Sequence, residues 1–172
     1  FDPSTSGSGA FVFIYTVLGT PPCVDATATV TVTVGPLPLV VISGTTTITQ
    51  GMNTPINFTF TGSAPFTVVY DDGSGPITSP SFNSTNGSVN VSPNTNTIYT
   101  LVSVTDANGC TASANGTATI TVNQLPTVSL SGTATICEGQ NSDLDFNLGG
   151  VPNFTVEYNT IDINNPSGVL NS

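Results

Sequence analysis

The chain has 172 residues, in which ten Asp and Glu face no Lys, Arg or His, for a formal charge of −10. Side-chain ion pairs within it are therefore impossible, and nucleic acid is excluded as a partner because phosphate binding depends on Lys and Arg. The missing cations also disfavour anionic membrane surfaces, and a one-signed surface repels its own copies, which favours solubility and an extended shape.

Thr, Ser, Asn, Gly, Val and Pro dominate the remainder, the composition of strands and turns rather than of long helices. In chain order the first element is AFVFIYTVLG at 10–19. It is roughly half as long as a membrane-spanning helix and reads as a buried strand, so no direct membrane insertion is expected. A Thr- and Val-rich stretch, TVTVTVGPLP at 29–38, closes this first segment. The line LPLVVISGTTTITQGMN follows at 37–53 and returns as LPTVSLSGTATICEGQN at 125–141, an offset of 125 − 37 = 88 residues. The two copies stay in register to Tyr70 and Tyr158. A period this long exceeds a solenoid unit and fits a small domain. The second copy of the Thr-Val ending is TATITVNQLP at 117–126. With the LP dipeptides as linkers, the chain divides into the carboxy-terminal part of one repeat (1–34), a complete repeat (37–123) and the amino-terminal part of a third (125–172).

Within the complete repeat, Ile56, Phe58 and Phe60 alternate with polar residues, as do Phe66, Val68 and Tyr70, and Ala118, Ile120 and Val122. Period two puts one face of each strand on a core and the other in water. Strands are expected near 39–49, 56–60, 66–70, 77–82, 88–91, 98–104 and 117–122, separated by GSAP, DDGSG, STNG, SPNTN and DANG turns. That pattern suits an all-β, immunoglobulin-like sandwich of roughly seven strands. Tyr99 opens the sixth strand, where either Tyr99 or the set Ile98, Val102 and Val104 is the inward face.

Catalysis is not expected. Without His or Lys the Ser and Thr hydroxyls have no ordinary activating base. The adjacent carboxylates of Asp71 and Asp72 precede Gly73 as a hairpin turn does, instead of flanking a sugar. Calcium is the one cofactor that the oxygen-rich loops suggest, with Asp71, Asp72, Asp106 and Asn108 as candidate ligands, although no dense D-x-D-x-D-G loop is present. Six Asn-x-Ser/Thr sequons begin at Asn57, Asn83, Asn86, Asn90, Asn115 and Asn153, a number that composition alone can produce. Cys23 and Cys110 precede Thr-rich final strands, whereas Cys137 sits in the first third of its repeat, at the position that Thr49 occupies in the complete one. A disulfide joining those two positions inside the complete repeat is thus impossible; Cys110 is left either as a free thiol or paired across a boundary.

At YTLVSVTDANGC (99–110), SGTATICEGQ (131–140) and the Thr-Val closing strand, the sequence resembles the immunoglobulin-like repeats of very large Bacteroidota surface adhesins, including the gliding-motility adhesins exported by type IX secretion. The resemblance implies an extracellular filament on the outer membrane, with neighbouring repeats of the same fibre as its partners and no catalytic residues. In that family pattern TIC and NGC commonly share a repeat, and Thr49 departs from it. Two roles stand as expectations: an adhesive structural segment serving attachment or gliding, with surface polysaccharide as a partner, and a carbohydrate-binding or spacer immunoglobulin-like module of a secreted enzyme. The like loops GSAPF and GVPNF favour the first. The permuted register implies a two-repeat window on a continuous fibre, with a short chain polymerising head to tail as the alternative.

Overall fold

The computed structural model describes residues 1–162 and 165–170. The third segment's expected extent includes residues 163, 164, 171 and 172, which lie outside the described residues. Nearly all of the regular secondary structure is strand, in keeping with the composition. A single helical turn, α1 (Pro3–Ser6), is capped by Asp2, whose carboxylate accepts from the Ser4 amide at 2.9 Å. Strands β1 (Gly9–Val17) and β2 (Ala26–Val34) then form an antiparallel hairpin.

Nine strands follow, with the core between two sheets. They are β3 (Leu39–Ser43), β4 (Thr46–Thr49), β5 (Thr54–Thr61), β6 (Thr67–Asp71), β7 (Pro76–Thr78), β8 (Asn86–Val91), β9 (Thr97–Thr105), β10 (Thr111–Ser113) and β11 (Thr117–Asn123). One sheet runs β3-β5-β8; the other runs β4-β11-β9-β6-β7, with β10 beside β9. Val40, Ile42, Ile56, Phe58 and Phe60 of the first sheet meet Phe66, Val68, Tyr70, Tyr99, Leu101, Ala118, Ile120 and Val122 of the second. Phe60 stacks on Phe66 at 4.7 Å between ring centres, and Phe58 lies 6.0 Å from Tyr70. The alternating apolar residues therefore supply the inward faces, and Tyr99, not Ile98, points inward.

Two of the seven expected strands depart from expectation, and β10 is an additional one. The run 39–49 is cut at Gly44, where φ is +115° and an added Cβ would stand 2.8 Å from the Pro55 carbonyl oxygen. Only glycine fits this close approach. The break lets the chain cross between sheets, so that β3 pairs with β5 while β4 runs parallel to β11. The strand expected at 77–82 is cut to three residues, after which Phe82 makes a lone bridge to Phe66. In β9 the inward residues are Tyr99, Leu101 and Val104, because β9 bulges at Val102: Val69 and Tyr70 of β6 pair with Ser103 and Leu101, and the extra residue shifts the alternation by one.

The last part holds β12 (Thr127–Ser131), β13 (Asp145–Gly149), β14 (Thr160–Asp162) and β15 (Asn165–Leu170). All five pairs of β12 with β13, from Thr127↔Gly149 to Ser131↔Asp145, equal the pairs of β3 with β5 plus 88. Gly132 (44 + 88) has φ +116°, and a Cβ added there would stand 2.9 Å from the Asp143 (55 + 88) carbonyl oxygen, as one added at Gly44 would meet that of Pro55. The turn bond Met52 N to Thr49 O recurs as Gln140 N to Cys137 O, each 3.0 Å. Phe146 lies 6.0 Å from Tyr158, as Phe58 does from Tyr70.

The apolar run at 10–19 forms a strand, as expected, but it is not buried: Tyr15 is 71% exposed, because no second sheet lies over β1 and β2 among the described residues. Phe66→Ala should therefore lower stability by about 3–5 kcal/mol through a cavity at the stacked pair. Phe154→Ala, at the half-buried counterpart position, should leave the main transition unmoved. Urea unfolding followed by near-ultraviolet circular dichroism distinguishes the two.

Candidate functional site

Three places carry clustered polar chemistry. The first is the β6–β7 turn. Asp71 Oδ1 accepts from the amides of Gly73 at 2.7 Å and Gly75 at 3.2 Å, while Asp72 Oδ1 accepts from the Ser74 amide at 3.0 Å. Both aspartates thus close their own turn, as Asx residues do. Bonds from the Ser74 hydroxyl and amide hold the Asp72 carboxyl below its ordinary range.

The second is the loop after β9. Asp106 is only 6% exposed, with no cation in the chain to pair with it. Its carboxylate instead accepts from the Asn108 amide at 2.9 Å, the Cys110 amide at 3.1 Å and Asn108 Nδ2 at 3.3 Å. These donors offset the cost of burying a carboxylate. The Asp106 amide also donates to the Cys110 carbonyl at 3.1 Å, and the Ala107 amide donates to Ser63 of the neighbouring β5–β6 loop at 3.0 Å. Of the four residues considered for calcium, Asp71 and Asp72 share one turn and Asp106 and Asn108 another. Asn108 gives N–H groups to Asp106 rather than standing beside it as a second oxygen ligand. Among the described residues no three His, Cys, Asp or Glu side chains converge as a metal site would require.

The third is an open cleft of about 480 Å³ that adjoins the β6–β7 turn, at the other end of β9 from Asp106, and is lined by Tyr70, Asp72, Ser74, Asn96 and Tyr99 among others. Burial pushes both tyrosine hydroxyls above their ordinary value, and the Asp72 charge adds to the effect. The rings are 6.2 Å apart and almost wholly buried, so the cleft offers hydroxyl edges and no flat aromatic platform for a sugar.

Sequence reasoning overlooked the two junctions. At the entry, Gly35 stands beside Asn108 and Cys110: an added Cβ would lie 3.6 Å from Asn108 Nδ2 and 3.9 Å from Cys110 Sγ. At the exit, the Gln50 amide donates to the Asn123 carbonyl at 2.9 Å, and the Leu125 amide donates to Gln50 Oε1 at 3.3 Å. Gln124 Nε2 reaches the Asn94 carbonyl at 2.9 Å. Cys23, Cys110 and Cys137 are all free thiols, with Cys110 partly covered. Of the six sequon asparagines, Asn57 lies on the outward face of β5, as its place in the alternation required.

Two outcomes check the polar sites. Asp106→Ala should strand its donors and cost about 1–3 kcal/mol, whereas Asp72→Ala should change stability little; thermal unfolding measures both. Because the folded Tyr70 and Tyr99 hydroxyls ionise above the ordinary 10.0, the stability they confer is complete below that pH and is lost as pH rises through their folded values. Tyrosinate absorbance should accordingly rise together with loss of near-ultraviolet circular dichroism, and Tyr70→Phe should shift that unfolding to higher pH. No protein-family model matches the chain, and no curated protein sequence matches it.

Proposed function

We propose that the chain is a structural and adhesive segment of a long extracellular surface filament, built from immunoglobulin-like units at 88-residue spacing and serving surface attachment. The observation that carries this reading is the recurrence, 88 residues on, of strand register, positive-φ glycines, turn bonds and a ring pair. The strand order, with β4 parallel to β11 beside the β9–β6 pair, supports the immunoglobulin-like comparison. A short exit linker bonded to the body through Gln50, and an entry linker that passes Asn108 and Cys110 at Gly35, suit units that keep a fixed relation along a fibre. Polar loops engaged in their own turns suit a spacer more than a catalyst. Gliding motility, type IX export and attachment to an outer membrane belong to the same reading and rest on the family resemblance.

A second reading, a carbohydrate-binding module, would have to use the polar lining of the cleft at Asp72, Ser74 and Asn96, since Tyr70 and Tyr99 present no ring face there. Beads coated with the chain separate the two. The filament reading expects attachment to chemically different surfaces, strengthened by salt as carboxylate repulsion is screened, and indifferent to soluble sugars. Saturable oligosaccharide binding abolished by Asp72→Ala would instead establish the module. Failure to attach to any surface would overturn both.

A further inference from the structure

The β1–β2 hairpin has one face that is entirely apolar. Phe11, Phe13, Tyr15 and Val17 stand opposite Val32, Val30, Ala28 and Ala26. Phe1 folds onto part of it, 5.0 Å from the rings of Phe11 and Phe13, yet Tyr15 and Val30 remain 71% and 62% exposed. A second uncovered face belongs to β12 and β13, where Val128, Leu130 and Phe146 are exposed, as is Leu144 just before β13. The central sandwich shows how such faces meet. Val40, Ile42, Ile56 and Phe58 pack there against Tyr99, Leu101, Ala118, Ile120 and Val122. Adding 88 to the first set yields Val128, Leu130, Leu144 and Phe146. Subtracting 88 from the last three of the second yields Val30, Val32 and Val34.

We propose that the occupant of the β1–β2 face is the β12–β13 unit of a second copy of this chain, which together with it builds a composite sandwich. The proposal rests on the reading of the chain as an array of like units. It also places two cysteines. In the central sandwich β4 runs beside β11 through Ile120↔Thr46, Thr121↔Thr47, Val122↔Ile48 and Asn123↔Thr49. Transferred to the composite, these pairs become Val32↔Ala134, Thr33↔Thr135, Val34↔Ile136 and Gly35↔Cys137, the second member coming from the other copy. Gly35 already adjoins Cys110 Sγ. The second copy's Cys137 therefore arrives beside the first copy's Cys110, and both thiols are free to bond.

A small-molecule disulfide serves as oxidant. The Cys110 thiolate attacks one of its sulfurs and expels a thiolate; the Cys137 thiolate then attacks Cys110 Sγ in the mixed disulfide and expels the second. Two protein thiols become one disulfide, and the oxidant is reduced to two thiols that take up the released protons. The same geometry explains why Cys110 has no partner inside its own sandwich: the position that would serve it belongs to the preceding unit.

Sedimentation of the whole chain in reducing buffer at raised salt tests the docking. Average mass should climb with concentration above the 17.4 kDa of one chain. Val32→Asp, on the apolar face, should hold it at one chain, and Thr31→Asp, on the opposite face, should not. Oxidised glutathione should then yield a ladder on a non-reducing gel that Cys23→Ser preserves and that Cys110→Ser or Cys137→Ser abolishes. With isotope-labelled and unlabelled copies mixed, chymotryptic Cys110–Cys137 peptides should join labelled to unlabelled halves. A mass constant at one chain, a link confined to single copies, or a link through Cys23 overturns the proposal. Constant mass with surface attachment retained removes the docking alone; rising mass without attachment removes the functional reading alone.

Discussion

A β-sheet with one apolar face is unstable in water until another apolar surface covers that face, and the architecture follows from this constraint. Between Leu39 and Asn123 it is met internally: Phe60 lies flat on Phe66, and the sets around Phe58 and Ile120 close the space between the sheets. Strands of the same patterning before and after that region retain their pairing but leave the apolar face exposed. Backbone pairing and face covering are thus separable. The β12–β13 register persists without a covering sheet, because five ladder pairs and Gly132 define it locally. By contrast, residues 134–137, counterparts of β4, form no strand, since no β11 counterpart lies beside them.

Absence of cations shapes the polar structure as strongly. A carboxylate here finds no Lys, Arg or His, so each engaged aspartate turns to backbone amides. Asp71 and Asp72 fold a hairpin, and Asp106 organises the loop that carries Cys110. Burying Asp106 without a countercharge is tolerated because three N–H donors converge on it. Charge thereby becomes a local folding device, while the exposed remainder keeps like surfaces apart.

Much of this was legible in the residues. Ile56, Phe58 and Phe60 announced their strand and its inward face, and the recurrence from Leu37 to Tyr158 announced the second register, because both signals are periodic. What escaped has no period. The sheet change at Gly44 is marked by Ser-Gly-Thr in both copies, yet nothing in that tripeptide says which strands it joins. The β9 bulge was invisible because Val102 and Val104 continue a plausible alternation. Asp106 read as part of the DANG turn and as a calcium candidate, and its burial could not be read there because it depends on a loop that approaches through Ser63. Gln50 was unremarkable until folding brought Leu125 to it: a bond between a side chain and a distant amide leaves no trace in local composition.

The linkage of β4 to β11 also bears on what a fibre of such units would withstand. The chain enters the central sandwich beside the loop of Cys110 and leaves it beside Gln50 and Asn94, at the opposite end of β9. Tension between entry and exit would run along the strands. Four parallel pairs, extended by the bond from the Thr119 amide to Thr45 Oγ1 at 3.1 Å, lie across that direction and share the load in shear instead of opening one after another. The last of those pairs is Asn123↔Thr49, the position that in the third segment is Cys137. A covalent bond from there to a Cys110 position in the following unit would bridge the junction between one clasp and the next, where only the linker and its few hydrogen bonds otherwise carry the force. Thr49 leaves the central unit's own forward junction without that bond, so reinforcement would alternate along an assembly of this chain.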